Sequence, residues 1–287
     1  MNRDILAAIQ NDMNSFSKGQ KAIGRFILDS YDKAAFMTAS RLGKTVDVSE
    51  STVVRFASRL GYDGYPNMQK ALQEMIRNKL TSIQRIEVSN DRIGNQDILS
   101  MVMQADIENI HMTLEEIDRK SFDKAVELIG NAKRIYLLGV RSAAAISSFI
   151  CFYFNLIFDN VVWVNGNSVS EMFENMLRVG EGDVVIGISF PRYSHRTVKA
   201  MEYAKNRGAH VIAITDSTTS PLASMAQCTL TAKSDMASFV DSLVAPLSLV
   251  NALIVAVGRT KNGEISKTFE TLEHIWAEYN VYERIDR

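Results

Sequence analysis

This chain is short of the residues that hold metals, pin disulfides or cross membranes. It has two cysteines, Cys151 and Cys228, both in apolar surroundings, which argues against a disulfide scaffold and for thiols packed in a core. Its four histidines, His111, His195, His210 and His274, are scattered without zinc-site spacing, so no metal is expected. No apolar run approaches the ~20 residues of a membrane span. The start, MNRDILAAIQNDMNSF, has neither the basic opening nor the cleavage site of a signal peptide, so the expected location is the cytoplasm, without a membrane partner. The G-x-G-x-x-G fingerprint is missing, because Gly139 is followed by Arg141 and Ser142 rather than a second glycine. A G-x-x-x-x-G-K-[ST] loop is missing too, and no G-x-S-x-G elbow surrounds Ser194 and His195. No cofactor and no catalytic residue are therefore expected.

What the chain does have is length and apolar content. With 287 residues, 46% of them hydrophobic and 23% charged, it is long enough for two domains that each bury a core. Its net charge of −1 hides an asymmetry, since residues 1–80 hold 12 Lys or Arg against 8 Asp or Glu and the remainder is acidic. Scattered lysines on a solvated surface would give the same balance.

The basic excess coincides with a motif. Residues 38–60, TASRLGKTVDVSESTVVRFASRL, read as two short helices joined by a tight turn. In the second, Val53, Phe56, Ala57 and Leu60 recur at i, i+3, i+4 and i+7 and make one buried stripe. Ser51, Arg55 and Arg59 recur at i, i+4 and i+8 on a different face. Ser49 is placed to cap the helix, Glu50 suits the positive end of its dipole, and Gly61 ends it. In the first helix Ala39 and Leu42 supply apolar contacts, and Gly43 allows a neighbouring backbone to come close. Asp47 stands at the turn, where Asp tolerates a left-handed backbone. The spacing from Gly43 through Asp47, Val48 and Ser49 to Val53 matches a helix-turn-helix, whose second helix enters the major groove.

Residues 3–16, 18–30 and 32–44 read as helices, with breaks at Ser17-Lys18-Gly19 and Ser30-Tyr31-Asp32, and residues 66–80 add another, opened by Pro66. The stretch 81–96, TSIQRIEVSNDRIGNQ, loses apolar periodicity and reads as a linker. This gives a helix-turn-helix domain over 1–80 and a second domain over 97–287. The second domain opens with helices at 97–117 and 121–130. Short Val- and Ile-rich runs follow at 134–138, 161–164, 183–189, 210–215 and 228–231, mostly separated by helices, and helices at 239–258 and 264–282 close it. That alternation predicts a doubly wound parallel sheet. The fold class is an all-α helix-turn-helix domain followed by an α/β domain.

In such a sheet, ligands bind beyond the carboxyl ends of the strands. Gly139-Val140-Arg141-Ser142-Ala143 leads from strand to helix, offering free backbone N–H groups and the Ser142 hydroxyl to an anion. Ser189 to Thr197 brings hydroxyls and two arginines. Thr215 to Pro221 is hydroxyl-rich before a helix that Pro221 can start. Serines and threonines also cap helices for purely structural reasons.

These residues carry a resemblance. FMTASRLGKTVDVSESTVVRFASRLGYDGYPNMQKAL resembles the N-terminal domain of the RpiR family of bacterial transcription regulators. IYLLGVRSAA, DVVIGISFPRYSHRTVKAMEYAKNRGAHVIAITDSTTSPLA and DSLVAPLSLVNALI are similar to its C-terminal sugar isomerase (SIS) domain. The resemblance implies a regulator that binds double-stranded operator DNA, senses a small anionic ligand such as a sugar phosphate, and works as a homodimer or homotetramer. On this chain the base contacts fall to Ser49, Glu50, Ser51, Thr52 and Arg55, and the phosphate contacts to Lys44 and Arg59. The ligand falls to Arg141, Ser142, Ser189, Arg192, Ser194, Arg196 and Thr197. SIS domains carry a stretch like S-x-S-G-x-T-x-[DE]-T. Here Ser189, Ser194 and Thr197 keep hydroxyls, whereas Pro191 stands for the second serine, Arg192 for the glycine and Arg196 for the acid. Losing that acid weakens the competing reading, an aldose-ketose phosphosugar isomerase with an accessory DNA-binding domain. Gaining two arginines favours an anion, one bearing a carboxylate included.

Overall fold

The computed structural model describes residues 5–76, 83, 86, 97–166, 168–235 and 240–283. The expected linker at 81–96 lies outside these residues except for Ile83 and Ile86, and so does the end of the helix expected to reach residue 80. Packing divides the described residues into two compact units, one holding those up to 101 together with 240–241 and the other holding 102–235 and those from 242 on.

The first unit is helical: α1 (Ile5–Asp12), one 3-10 turn (Met13–Ser15), α2 (Lys18–Asp29), α3 (Tyr31–Ala34), α4 (Ala39–Thr45), α5 (Glu50–Arg59) and α6 (Gly64–Ile76). Ser17 caps α2 reciprocally with Gln20, a capping box that fixes the first break seen in the sequence. The single helix expected over 32–44 is instead two, α3 and α4, parted at 35–38. Thr38 caps α4 by accepting from the Arg41 N–H, and α6 takes up the carbonyls freed by the break. Gln73 Nε2 donates to the Ala35 carbonyl, while Gln69 Nε2 and the Tyr65 hydroxyl both donate to that of Met37, each at 2.8 Å. Buried backbone acceptors are costly to leave unpaired, so these side chains make the break affordable. Burial there pushes the Tyr65 phenol up to about 12.

The second unit takes in α7 (Ile98–Glu116) from Val102 on and α8 (Arg119–Gly130), and continues β1 (Ile135–Gly139), α9 (Ala143–Phe154), β2 (Val161–Val164), α10 (Val169–Asn175), β3 (Val184–Ile188), α11 (His195–Asn206), β4 (His210–Thr215) and β5 (Cys228–Thr231). It ends with α12 (Val244–Thr260) and α13 (Asn262–Glu278). The strands form one parallel sheet in the order β2-β1-β3-β4-β5. Alternate strand residues feed two cores. Ile135, Leu137 and Ile186 pack with Ile146 and Ile150 of α9 and Leu253 of α12, whereas Leu138, Val185 and Val211 face Ala200 and Met201 of α11. Thus α9 and α11 cover opposite faces, and the chain reverses its direction of winding between β1 and β3.

Pro221 starts no helix. Residues 221–225 are consecutive turns, with Ser220 accepting from the Ala223 N–H and Leu222 buried beneath. Burial raises the pKa of both cysteine thiols, as expected of core groups. Among the described residues no single helix is long and apolar enough to cross a membrane, although α12 and α13 together, bent by 99°, match one in length and composition.

Candidate functional sites

The stripe expected on the second helix of the motif is realised in α5, where Val53, Phe56, Ala57 and Leu60 are all buried. The Phe56 ring meets Phe16 edge-on at 5.1 Å between centroids. Asp47 sits at φ 57°, the left-handed turn position assigned to it, and Gly61 follows the helix at φ 88°. At Gly43 a Cβ would lie 2.8 Å from the Val48 carbonyl oxygen, so the turn closes only over glycine.

Ser49 caps α5 through the Thr52 N–H, and its hydroxyl lies 2.9 Å from that of Ser51 and 2.8 Å from that of Thr52. Arg55 donates to the Thr52 hydroxyl at 3.3 Å. Ser49, Glu50, Ser51 and Arg55 are exposed at or near the helix N-terminus, as is Lys44 at the end of α4, and Thr52 is half-buried. Arg59 is engaged differently from the phosphate contact expected of it. Its guanidinium donates to the carbonyl and hydroxyl oxygens of Ser15, each at 3.1 Å, and lies 5.6 Å from the Phe16 ring centroid. It ties the end of α5 to the turn after α1.

In the second unit a cleft of about 730 Å³ opens beyond the carboxyl ends of β1, β2 and β3. This is the switch point of the sheet, where doubly wound folds place their ligands. Arg141 lines it from the β1 loop, and Arg192, Ser194 and Arg196 line it from the β3 loop, four of the residues singled out in the sequence. Trp163, Asn165 and Gly166 complete the wall from β2 and its loop, with Tyr193 and His195 beside the arginines.

Three expected hydroxyls stand outside the lining. Ser142 is exposed and makes no side-chain cap for α9. Ser189 is buried and accepts from the Ser194 N–H at 3.0 Å, which shapes the arginine loop from behind. Thr197 is fully buried, and its hydroxyl has no hydrogen-bond partner among the described residues. The loop after β4 does not reach the cleft directly. Its Asp216 accepts from the Tyr193 hydroxyl at 2.8 Å and so braces the arginine loop.

Both cleft helices are held by local features. Ser194 caps α11 by accepting from the Thr197 N–H. Arg141 occupies φ 57°, a conformation uncommon for a long side chain. A Cβ at Gly139 would lie 2.6 Å from the Ala143 carbonyl oxygen, so the loop folds onto α9 only because glycine is there. Among the described residues no group of three or more His, Cys, Asp or Glu is placed to hold a metal.

A helical unit whose capped α5 follows a left-handed turn, joined to a doubly wound unit with an arginine-lined cleft at its switch point, defines a helix-turn-helix domain followed by an α/β domain. Residues 3–79 match the helix-turn-helix domain of the rpiR family and residues 128–256 match the SIS domain. The chain thus carries a helix-turn-helix domain of the rpiR family followed by a SIS domain. It is 22% identical to an HTH-type transcriptional regulator of Caldanaerobacter subterraneus, over 95% of this chain and 96% of that one. It is 26% identical to HexR of Escherichia coli, over 79% of this chain and 77% of HexR. Vibrio vulnificus NanR, solved in complex with ManNAc-6P, shares the fold at a TM-score of 0.58 and 23% identity, over 95% of this chain and 98% of NanR. The sugar isomerase domain of an RpiR transcription factor from Sphaerobacter thermophilus superposes at a TM-score of 0.59 with 25% identity, over 62% of this chain and 99% of that domain.

Proposed function

We propose that this protein is a cytoplasmic, DNA-binding transcription regulator whose SIS domain senses a small anionic metabolite, a sugar phosphate. The observation that carries the sensor reading is the cleft, which Arg141, Arg192 and Arg196 line at the switch point with no Asp or Glu among the described lining residues. Guanidinium groups stay protonated, so they bind anions without exchanging protons, which suits a sensor better than an isomerase. Its volume falls within the roughly 300–1,000 Å³ of small-molecule sites. Ser49, Glu50, Ser51, Thr52 and Arg55 read base edges in this proposal, and Lys44 contacts phosphate. Leu99, Met103, Ile107 and Leu114 form an exposed apolar row along α7, which supports assembly as a homodimer or homotetramer.

The test is fluorescence anisotropy of the purified protein on DNA from upstream of its own coding region, with and without a panel of phosphosugars. Specific, salt-dependent binding that one phosphosugar alters is expected. Equal affinity for scrambled DNA would defeat the regulator reading, and turnover of a phosphosugar by the same preparation would restore the isomerase.

Within this reading Tyr193 positions the arginine loop. Tyr193→Phe loses the bond to Asp216 and should weaken the response to the active phosphosugar about tenfold, as expected for a hydrogen bond to a charged group. Operator affinity without ligand should stay unchanged, and an unaltered dose-response curve would remove Tyr193 from the mechanism.

A further inference from the structure

We infer that Val54 takes part in reading DNA, packing its γ-methyl groups against the C5-methyl group of a thymine in the major groove. The inference rests on the DNA-binding reading above and adds a specificity-determining residue to it. Among the described side chains of residues 5–75, Val54 is the one large apolar group that is exposed, at 38%. Every other Leu, Ile, Val, Met, Phe and Tyr in that stretch is buried or half-buried. A single exposed apolar residue is ordinary on a protein surface, so the argument turns on where this one stands.

Val54 follows Val53 of the buried stripe and therefore sits about 100° further round α5. It shares that outer side with Glu50, Ser51 and Ser58, all exposed. Glu50 and Ser51 precede it by four and three residues and Ser58 follows by four, the spacings at which helical side chains are neighbours. The Ser58 hydroxyl donates back to the Val54 carbonyl at 3.3 Å, so its proton is held within the helix. Local stability does not account for a valine here. A β-branched side chain lowers helix propensity, and exposing it forgoes the stabilisation that burial brings. Contact with a base edge does account for it. Helix-turn-helix proteins set the N-terminal part of their second helix against the bases, and Val54 is in the first half of α5. In the major groove thymine presents a methyl group beside its O4 acceptor, and no other unmodified base carries one. A hydroxyl or guanidinium gains little from a methyl group, whereas valine removes it from water. Ser51 and Arg55 beside it are left to donate to the polar edges of adjoining bases.

The test uses the full chain and a binding site that it selects from a random pool of DNA duplexes. Each thymine of that site is replaced in turn by deoxyuridine, which removes the methyl group and keeps O4 and the base pairing. Affinities are read by fluorescence anisotropy at one fixed salt concentration. For at least one thymine the replacement should weaken binding by the parent protein about fourfold, the worth of burying one carbon. Val54→Ala should bind the thymine and deoxyuridine forms of that position equally. Its melting temperature should match the parent's, because Val54 lies outside the core and alanine favours the helix. A site with no thymine sensitive to loss of its methyl group overturns the inference but leaves the regulator reading standing, as does a sensitivity of the same size in Val54→Ala. Failure to select any site overturns both.

Discussion

Phe56→Ala is expected to unfold the helix-turn-helix unit and abolish operator binding while phosphosugar binding in the second unit persists. Phe56 is wholly buried at the centre of α5, in edge contact with Phe16 and within the core that also holds Val53, Ala57 and Leu60. Truncating such a ring costs about 3–5 kcal/mol through lost transfer energy and the cavity left behind. Small domains are stable by about 5–15 kcal/mol in all, so the loss removes most of the margin of a unit this size. Two transitions should appear in a thermal melt of the parent protein, and the variant should lose or sharply lower the one belonging to the first unit. Operator binding that survives the substitution would mean that α5 is not the DNA reader.

Much of this geometry is legible in the sequence because it is local. The stripe at i, i+3, i+4 and i+7 needs only helical periodicity, and Ser49, Asp47 and Gly61 announce the start, turn and stop by backbone chemistry that acts within a few residues. The break at 35–38 is different. Within 32–44 nothing forbids a continuous helix, and the stabilising partners are Tyr65, Gln69 and Gln73, some thirty residues away in sequence. Tertiary hydrogen bonds outweigh local propensity there.

The cleft shows the same division. Strand and helix alternation predicts that loops at the carboxyl edge bind ligand, and Arg141, Arg192, Ser194 and Arg196 are found there. Which loops are neighbours depends on strand order, which alternation leaves open. Because β2 flanks β1 while β4 lies on the far side of β3, Asn165 and Gly166 enter the wall and the hydroxyls of 217–220 do not. Trp163 reads as one more apolar residue of a buried strand, yet on the edge strand β2 it is only partly buried and lines the cleft. The rule that finds loops after strands applied equally to Asn165-Gly166, so the signal was present there without being distinctive.

Arg55→Ala and Arg59→Ala separate base reading from scaffolding on one helix. Both arginines are exposed and four residues apart, and by sequence both belong to the DNA face. In the structure Arg55 stays with the hydroxyl cluster of Ser49, Ser51 and Thr52 at the N-terminal end of α5, the end that reaches base edges in helix-turn-helix complexes. An arginine contact to a base pair is worth about 1–3 kcal/mol of discrimination. Arg55→Ala should therefore weaken specific binding by roughly tenfold to a hundredfold, relax base preference at the positions it reads and leave the melting temperature nearly unchanged. Arg59 instead bonds Ser15 and covers Phe16, so Arg59→Ala should lower the melting temperature of the first unit by a few degrees. It should also leave base preference and the slope of affinity against salt as they were, since a guanidinium engaged within the protein releases no counterion from DNA. A salt slope reduced by about one in Arg59→Ala, with no change in melting, would show that Arg59 leaves Ser15 for a phosphate when DNA binds.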